Sequence, residues 1–455
     1  MFQRLLLTVL IVWSSVVFNT AAADRPPNIV FILADDLGYG DLSCFGQGTL
    51  KTPNLDRMAG EGMRLTRHYA GSTVCAPSRC VFLTGKHAGH GTVRGNGPGI
   101  LGSDDILISD VLKRAGYATG CSGKWGVGNP PPLDDPNQHG FDHFYGYVSM
   151  WHAHNFYPEF LIRNGKKSPL RNEVPERWKA GDGRGVATKK VDYAPDMITR
   201  DALDFVGKHK DGPFFLYWAM NVPHANNEGR NKGMEVPSWG EFGKTGWPEP
   251  EKGFASMIRN IDTDVGKMLG QLKQFGLEEN TIVIFTSDNG PHQEGGHKAD
   301  YFNSNGGLRG KKRDLYEGGI RVPTIVRWPG HVAADSTSDL RSGFQDWFAT
   351  FSDLAGVDAE AHDGISLRST LIGKGKQRPH PYLYWEFLEQ GGKQAVLKDN
   401  WKAVRVNWVA NPNSPIELFD LSKDKSEQTN VATSHPEIVA EMADIMKREH
   451  TPQSD

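Results

Sequence analysis

The stretch Cys75-Ala76-Pro77-Ser78-Arg79-Cys80-Val81-Phe82-Leu83-Thr84-Gly85 decides how the rest of the chain is read. Proline favours the first turn of a helix, where its missing N–H would have had no partner in any case. Pro77 therefore predicts a helix opening at Cys75, with the thiol at the end where free N–H groups and the helix dipole attract anions. Arg79 follows one turn later on the same face, a permanent cation whose planar fork matches a sulfate or phosphate. A cysteine ahead of a helix is more often a packed thiol than a nucleophile, so the surrounding sequence must decide.

Four apolar runs deliver polar residues at their ends. Asn28–Ala34 is continuous and β-branched near its start, as in a strand buried on both faces of a parallel sheet, and it ends at Asp35-Asp36. Thr281–Ser287 repeats that design and ends at Asp288-Asn289-Gly290. The run 213–221 leads to Pro223-His224, and the shorter run 117–122 to Gly123-Lys124-Trp125-Gly126. Taken singly, an Asp pair suits a cap or turn, Asn-Gly a hairpin, and a lysine the solvent. In open α/β sheets, however, ligands bind beyond the carboxyl ends of the strands, where all four sets fall. Asp35, Asp36, Asp288 and Asn289 form an oxygen-only donor set, suited to a hard cation, Ca²⁺ or Mg²⁺, with Ca²⁺ preferred for its flexible coordination. The stretch 306–319 carries Arg309, Lys311, Lys312 and Arg313 and reads, by itself, as a solvated basic loop.

Together these residues resemble the type I, formylglycine-dependent sulfatase family. Cys75, Pro77, Ser78, Arg79, Leu83, Thr84 and Gly85 match every fixed position of its Cys-x-Pro-Ser-Arg signature and the Leu-Thr-Gly that follows. The likeness runs from Asn28 to the segment 417–421. It implies an alkaline-phosphatase-like α/β/α sandwich with a smaller C-terminal domain of antiparallel sheet plus helix. It also implies that a maturation enzyme oxidises Cys75 to formylglycine, and that Ca²⁺ is held by Asp35, Asp36, Asp288, Asn289 and one oxygen of the modified Cys75. Arg79, Lys124, His224 and Lys312 match the family's catalytic positions. One departure stands out: many sulfatases read Gly-Lys-Trp-His-Leu-Gly, and this chain has Gly126 where the histidine that helps expel sulfate belongs. His87, His90, His152 and His154 are candidates to replace it.

Residues 1–23 read as a signal peptide, with Arg4, an apolar core over 5–18 and Ala21-Ala22-Ala23 before the cut. Residues 24–373 form the expected catalytic domain, and 374–455 a domain of short strands with a helix over 436–448. The expectation is an exported protein, periplasmic or secreted, without stable membrane insertion, since no later stretch approaches the roughly 20 apolar residues a span requires. A net charge of −3 gives no electrostatic footprint for nucleic acid. With Cys75 consumed, Cys44, Cys80 and Cys121 allow at most one disulfide, Cys80–Cys121 being conceivable. The stretch 127–192, rich in Pro, Gly, Trp and His, reads as long loops over the sheet. His152 and His154 there, with His90 and Arg94 beside the signature, are substrate-binding candidates. By family analogy the substrate is a sulfated carbohydrate, a galacto-configured residue of a polysaccharide or glycosaminoglycan. Two rival readings are a phosphate or phosphonate ester hydrolase of the same superfamily and an exported glycan-binding homologue with an unmodified cysteine.

Overall fold

The computed structural model describes residues 25–97, 100–128, 134–176, 182–359 and 362–452; the leader expected over 1–23 lies outside the described residues. The strands among them are β1 (Asn28–Ala34), β2 (Met63–Leu65), β3 (His68–Tyr69), β4 (Ala118–Gly128), β5 (His143–Ser149), β6 (Phe160–Arg163), β7 (Lys166–Pro169), β8 (Phe214–Ala219), β9 (Thr281–Ser287), β10 (Thr324–Arg327), β11 (Ser336–Ser338) and β12 (Ser342–Gly343). Four more, β13 (Leu383–Phe387), β14 (Lys393–Lys398), β15 (Trp401–Val406) and β16 (Ile416–Asp420), follow near the C-terminus. Ten form one large sheet in the order β11-β2-β10-β9-β1-β8-β4-β5-β6-β7. Its centre, β9-β1-β8-β4-β5, is parallel.

Alternation along β1 shows why this makes a three-layer sandwich. Val30, Ile32 and Ala34 belong to a core shared with the helices Pro53–Gly60, Ala194–His209 and Glu249–Gln274. Ile29, Phe31 and Leu33 belong to a second core shared with Cys75–Thr84, Ile108–Arg114 and Gln345–Leu354. Every residue of β1, β8 and β9 is buried, as the apolar runs require of strands covered on both faces. The stretch 127–192 departs from the loop expectation: it holds β5, β6 and β7 and completes one edge of the sheet. These strands are short, and their register to the sheet rather than any local period defines them. The run near 117–122 is also longer than expected and carries Lys124 within β4. All four cysteines are free thiols, so Cys80 and Cys121 are not paired.

The small antiparallel sheet, in the order β13-β14-β15-β16, uses both faces. Tyr384, Val396, Ala403 and Leu418 meet Met442, Ile445 and Met446 of the helix Pro436–Glu449. Leu383, Trp385, Leu397 and Phe419 meet Tyr69, Val74, Leu315 and Ile320 of the larger part. Charge is buried at this joint as well. Lys402 Nζ lies 3.0 Å from Glu317 Oε1 and 3.6 Å from Glu427 Oε1. Tyr69 donates to Glu317 Oε2 at 2.9 Å, and the Glu317 N–H donates to Glu427 Oε2 at 2.7 Å. The segment carrying Lys312 is thereby gripped between the two sheets.

Candidate active site

The helix Cys75–Thr84 begins under the carboxyl end of β1, buried along its whole length. Phe82 fixes its position by stacking on Phe31, with ring centres 4.1 Å apart. The Cys75 thiol is 1% exposed, with Sγ 3.1 Å from Asp35 Oδ1 and 3.9 Å from Asp36 Oδ1. Burial and the Asp35 carboxylate hold it well above the ordinary thiol range, so it is a neutral thiol.

β1 and β9 pair in parallel from Asn28↔Thr281 to Ala34↔Ser287, so their polar tips emerge side by side at one level. Asp36 adopts φ +69 and donates its N–H to Asp288 Oδ1 at 3.0 Å, while Leu37 N–H donates to Ser287 Oγ at 2.8 Å. Asn289 Nδ2 donates to Asp36 Oδ1 at 2.7 Å. Its Oδ1 is buried and has no partner among the described residues.

Three cations close over these acids. Lys124 Nζ is 2.6 Å from Asp35 Oδ2. Arg79 places Nε and Nη2 on Asp288 Oδ2 at 3.0 and 2.8 Å, and Nη1 on the Lys124 carbonyl at 2.6 Å. Lys312 Nζ is 2.7 Å from Asp36 Oδ2, 3.0 Å from His224 Nε2 and 3.2 Å from Glu294 Oε2. The close approach that brings Lys124 in needs the preceding glycine: Gly123 has φ +122, and a Cβ there would sit 1.8 Å from the Ala219 carbonyl oxygen. Burial and the neighbouring Asp35 push Asp288 up to about 7 even with Arg79 upon it. Against the same burial, Lys124 holds Asp35 well below the usual carboxylate range.

His224 is assigned a tautomer by its partners. Nδ1 faces the Ala225 carbonyl at 2.7 Å and donates to it, which leaves Nε2 to accept from Lys312. Burial and the Lys312 charge lower its pKa to about 3, so the ring is neutral. Its ring lies between His154, with centres 4.9 Å apart, and His292 at 6.1 Å.

The structure thus brings Cys75, Arg79, Lys124, His224, Lys312, Asp35, Asp36, Asp288 and Asn289 into one buried cluster. Of the substrate-facing candidates, His154 alone lies against a member of it. His90 Nδ1 bonds Asp363 at 2.9 Å and its ring stacks on His87. Arg94 is 5% exposed and reaches Glu386 Oε1 at 2.7 Å. His152 is 2% exposed, with Nε2 3.0 Å from the Phe160 carbonyl, and burial lowers its pKa to about 4. Arg94 and His152 thus make their contacts within the fold and do not join the cluster.

Sequence reasoning passed over Glu294, whose Oε1 also takes Arg313 at 2.6 Å, and Asn96, whose Oδ1 accepts the Ala76 N–H at 3.1 Å and so caps the first turn of the catalytic helix. Neither has a local signal beyond its nearness to a strand tip or a Gly-rich loop. Gly126 has φ +75, and a Cβ there would lie 3.2 Å from Arg79 Cδ and 3.3 Å from Lys124 Cε.

An oxygen-donor cation fits these residues. Three carboxylates and an unpartnered amide oxygen converge, and Asp35, Asp36, Cys75 and His224 each offer an atom within 4.8 Å of the others.

The sulfatase family model matches residues 27–357. The chain belongs to the sulfatase family. As a sulfatase it is a sulfuric ester hydrolase. A second model, for the C-terminal part of N-sulphoglucosamine sulphohydrolase, matches 309–451, from the Lys312 segment through the small sheet. Among curated relatives, the N-acetylgalactosamine-6-O-sulfatase of Bacteroides thetaiotaomicron is 32% identical, over 93% of each chain. Human arylsulfatase A is 31% identical over 92% of this chain and 86% of its own. Among solved structures, Ps i-CgsB superposes with a TM-score of 0.78 at 28% identity over 94% of each chain. The phosphonate monoester hydrolase of Agrobacterium radiobacter, at 21% identity over 93% of this chain and 96% of its own, shares the fold with a TM-score of 0.62.

Proposed function

We propose that this sulfatase cleaves sulfate esters of a carbohydrate, with Cys75 matured to formylglycine and Ca²⁺ held by Asp35, Asp36, Asp288 and Asn289. The observation that carries the reading is a neutral, buried thiol at a helix N-terminus, 3.1 Å from Asp35 and ringed by Arg79, Lys124 and Lys312. A sulfated thiol would be a dead end, because it has no second group to drive release. Hydrated formylglycine supplies that group: one hydroxyl to attack sulfur and a second to expel sulfate. When bound, Ca²⁺ supplies Lewis acidity at that hydroxyl and at the sulfuryl oxygens.

The chain's own residues do the rest. Arg79, Lys124 and Lys312 are already paired with carboxylates, so a sulfuryl group that enters takes over donors held in place beforehand. Asp288 is a proton acceptor for the attacking hydroxyl. The Lys312–His224 pair shares a hydrogen across 3.0 Å and is the proton source for the departing alcohol. No histidine stands at Gly126, and of the four weighed to replace it only His154 lies against the cluster, stacked on His224.

The relatives' names support a sulfated sugar. The bacterial relative is an N-acetylgalactosamine-6-O-sulfatase, and the i-CgsB structure has a counterpart in complex with k-i-k-neocarrahexaose. A galacto-configured residue of a polysaccharide or glycosaminoglycan is the substrate we infer. Among the described residues no helix is long and apolar enough to cross a membrane; the reading of 1–23 as a leader is what supports export to the periplasm or beyond.

The test has two parts. The mass of the Cys75 peptide is expected to carry the loss that converts a thiol to an aldehyde; an intact thiol in active protein would refute the maturation. In parallel assays, sulfate esters are expected to turn over and phosphate or phosphonate esters to lag far behind; the reverse order would move the chain to the rival chemistry.

A further inference from the structure

Next to the catalytic cluster lies a cavity of about 480 Å³ between the loop around Arg230 and the segment 293–300. Glu294 joins the two places: it lines the cavity, while its carboxylate takes Lys312 at 3.2 Å and Arg313 at 2.6 Å. The cavity walls also carry Arg230, Lys298, Asn231 and Gln293, with Asp300 as the one other acid. Among the described residues neither the Arg230 guanidinium nor the Lys298 ammonium has a hydrogen-bond or ion-pair partner. This contrasts with the catalytic cations, each of which is bound to a carboxylate.

The backbone here is shaped at some cost. Arg230 sits at φ +51, ψ −126, a conformation that an L side chain seldom adopts. It is held there by Gly233, whose N–H donates to the Arg230 carbonyl at 3.2 Å and to the Gly295 carbonyl at 3.1 Å. Gly296, at φ +90, leaves no room for a side chain: a Cβ would meet the Asn231 carbonyl oxygen at 2.6 Å. The loop that follows His224 and the segment 293–296 are thus tied backbone to backbone, and the first presents a strained arginine to the gap.

We propose that this cavity is a subsite for a second anionic sugar, adjacent to the one whose sulfate ester is cleaved, with Arg230 and Lys298 binding its carboxylate or sulfate. The proposal deepens the sulfated-carbohydrate reading and rests on it. Uncompensated cations beside amide groups suit an anionic, hydroxyl-rich ring, and a fork-shaped guanidinium suits either anion. The preferred substrate is then an oligosaccharide with charge on neighbouring residues, rather than an isolated sulfated sugar.

Full-length Arg230→Gln, Lys298→Gln and the double variant test this against p-nitrophenyl sulfate and against sulfated tetrasaccharides from chondroitin sulfate and κ-carrageenan. KM for at least one tetrasaccharide is expected to rise about tenfold in the double variant with kcat little changed, while turnover of the aryl sulfate stays at the wild-type level. Equal kinetics on all substrates, or a loss that includes the aryl sulfate, would overturn the subsite. Calorimetric binding of the same tetrasaccharides is the second readout. If wild-type protein releases no sulfate yet its tetrasaccharide binding is weakened by the double variant, the hydrolase reading fails and the subsite stands. Binding that is indifferent to both residues, or undetectable in the wild type, sinks the subsite.

Discussion

Two buried charge clusters lie within this protein, and they do different things. One gathers Asp35, Asp36, Asp288, Arg79, Lys124 and Lys312 around the tips of β1 and β9. The other gathers Lys402, Glu317 and Glu427 where the small sheet meets the large one, all of them fully buried. Both contain ion pairs near 3 Å, and both contain a non-glycine residue at positive φ, Asp36 at +69 and Glu427 at +53. Buried charge and backbone strain therefore do not separate a reaction centre from a joint. What separates them is the company kept. The first includes the Cys75 thiol and a neutral imidazole beside an ammonium, and Glu294 links it to a cavity. The second is closed by Tyr69, Arg321 and a backbone N–H and packs against the hydrophobic core of the joint.

The sharpest way to break this contrast is Cys75→Ala. It is expected to lower sulfate release by about 10⁴-fold or more, with a thermal midpoint close to that of the wild type, because the group removed is small and uncharged, whether thiol or aldehyde. A variant that unfolds, or one that keeps substantial activity, would mean the first cluster is structural. Lys402→Met is the mirror experiment. It takes the ammonium from Glu427 and leaves Glu317 with Arg321 alone, at 3.4 Å, and should cost about 3 kcal/mol in denaturant unfolding, with activity per folded molecule reduced less than stability suggests. Unchanged stability would show that the joint does not depend on its charges.

The smallest expected effect concerns a third, half-exposed group that sharpens the comparison. The hydrogen bond to Asp363 raises the pKa of His90 above its ordinary value, so the folded protein holds that proton more tightly than the unfolded chain. This contribution is complete below about pH 6.5 and fades as pH rises through the higher folded-state value. His90→Asn should therefore destabilise at pH 5.5, by less than about 1 kcal/mol given solvent screening, and the difference should vanish by pH 9. Unfolding curves at both pH values decide it; a gap that widened with pH would contradict the pairing.

The centre of the fold was legible because parallel strands buried on both faces must be apolar throughout, which makes the polar residues at their tips conspicuous. Asp35, Asp36, Asp288 and Asn289 could be read for that reason, and Cys75 and Arg79 because they stand in the sulfatase signature; proline and helical spacing alone favour a packed thiol. The edge of the sheet was not legible: β6 and β7 are four residues each, partly exposed, and carry no apolar alternation. Partners distant in sequence were equally hidden. Arg94 stands beside the signature yet is committed to Glu386, and Glu294 matters only because the fold sets it against Lys312 and Arg313.

The register between β1 and β9 has a consequence for anyone altering this scaffold. A strand advances about 3.3 Å per residue and turns its side chains over at each step. Deleting a single residue from either strand would withdraw one pair of oxygen donors by more than an atom's width and aim it into the packed layer behind. The ladder that keeps Ala34 abreast of Ser287 is in effect the ruler for the chemistry, and any transplant of this reaction centre must carry both strands at their full lengths.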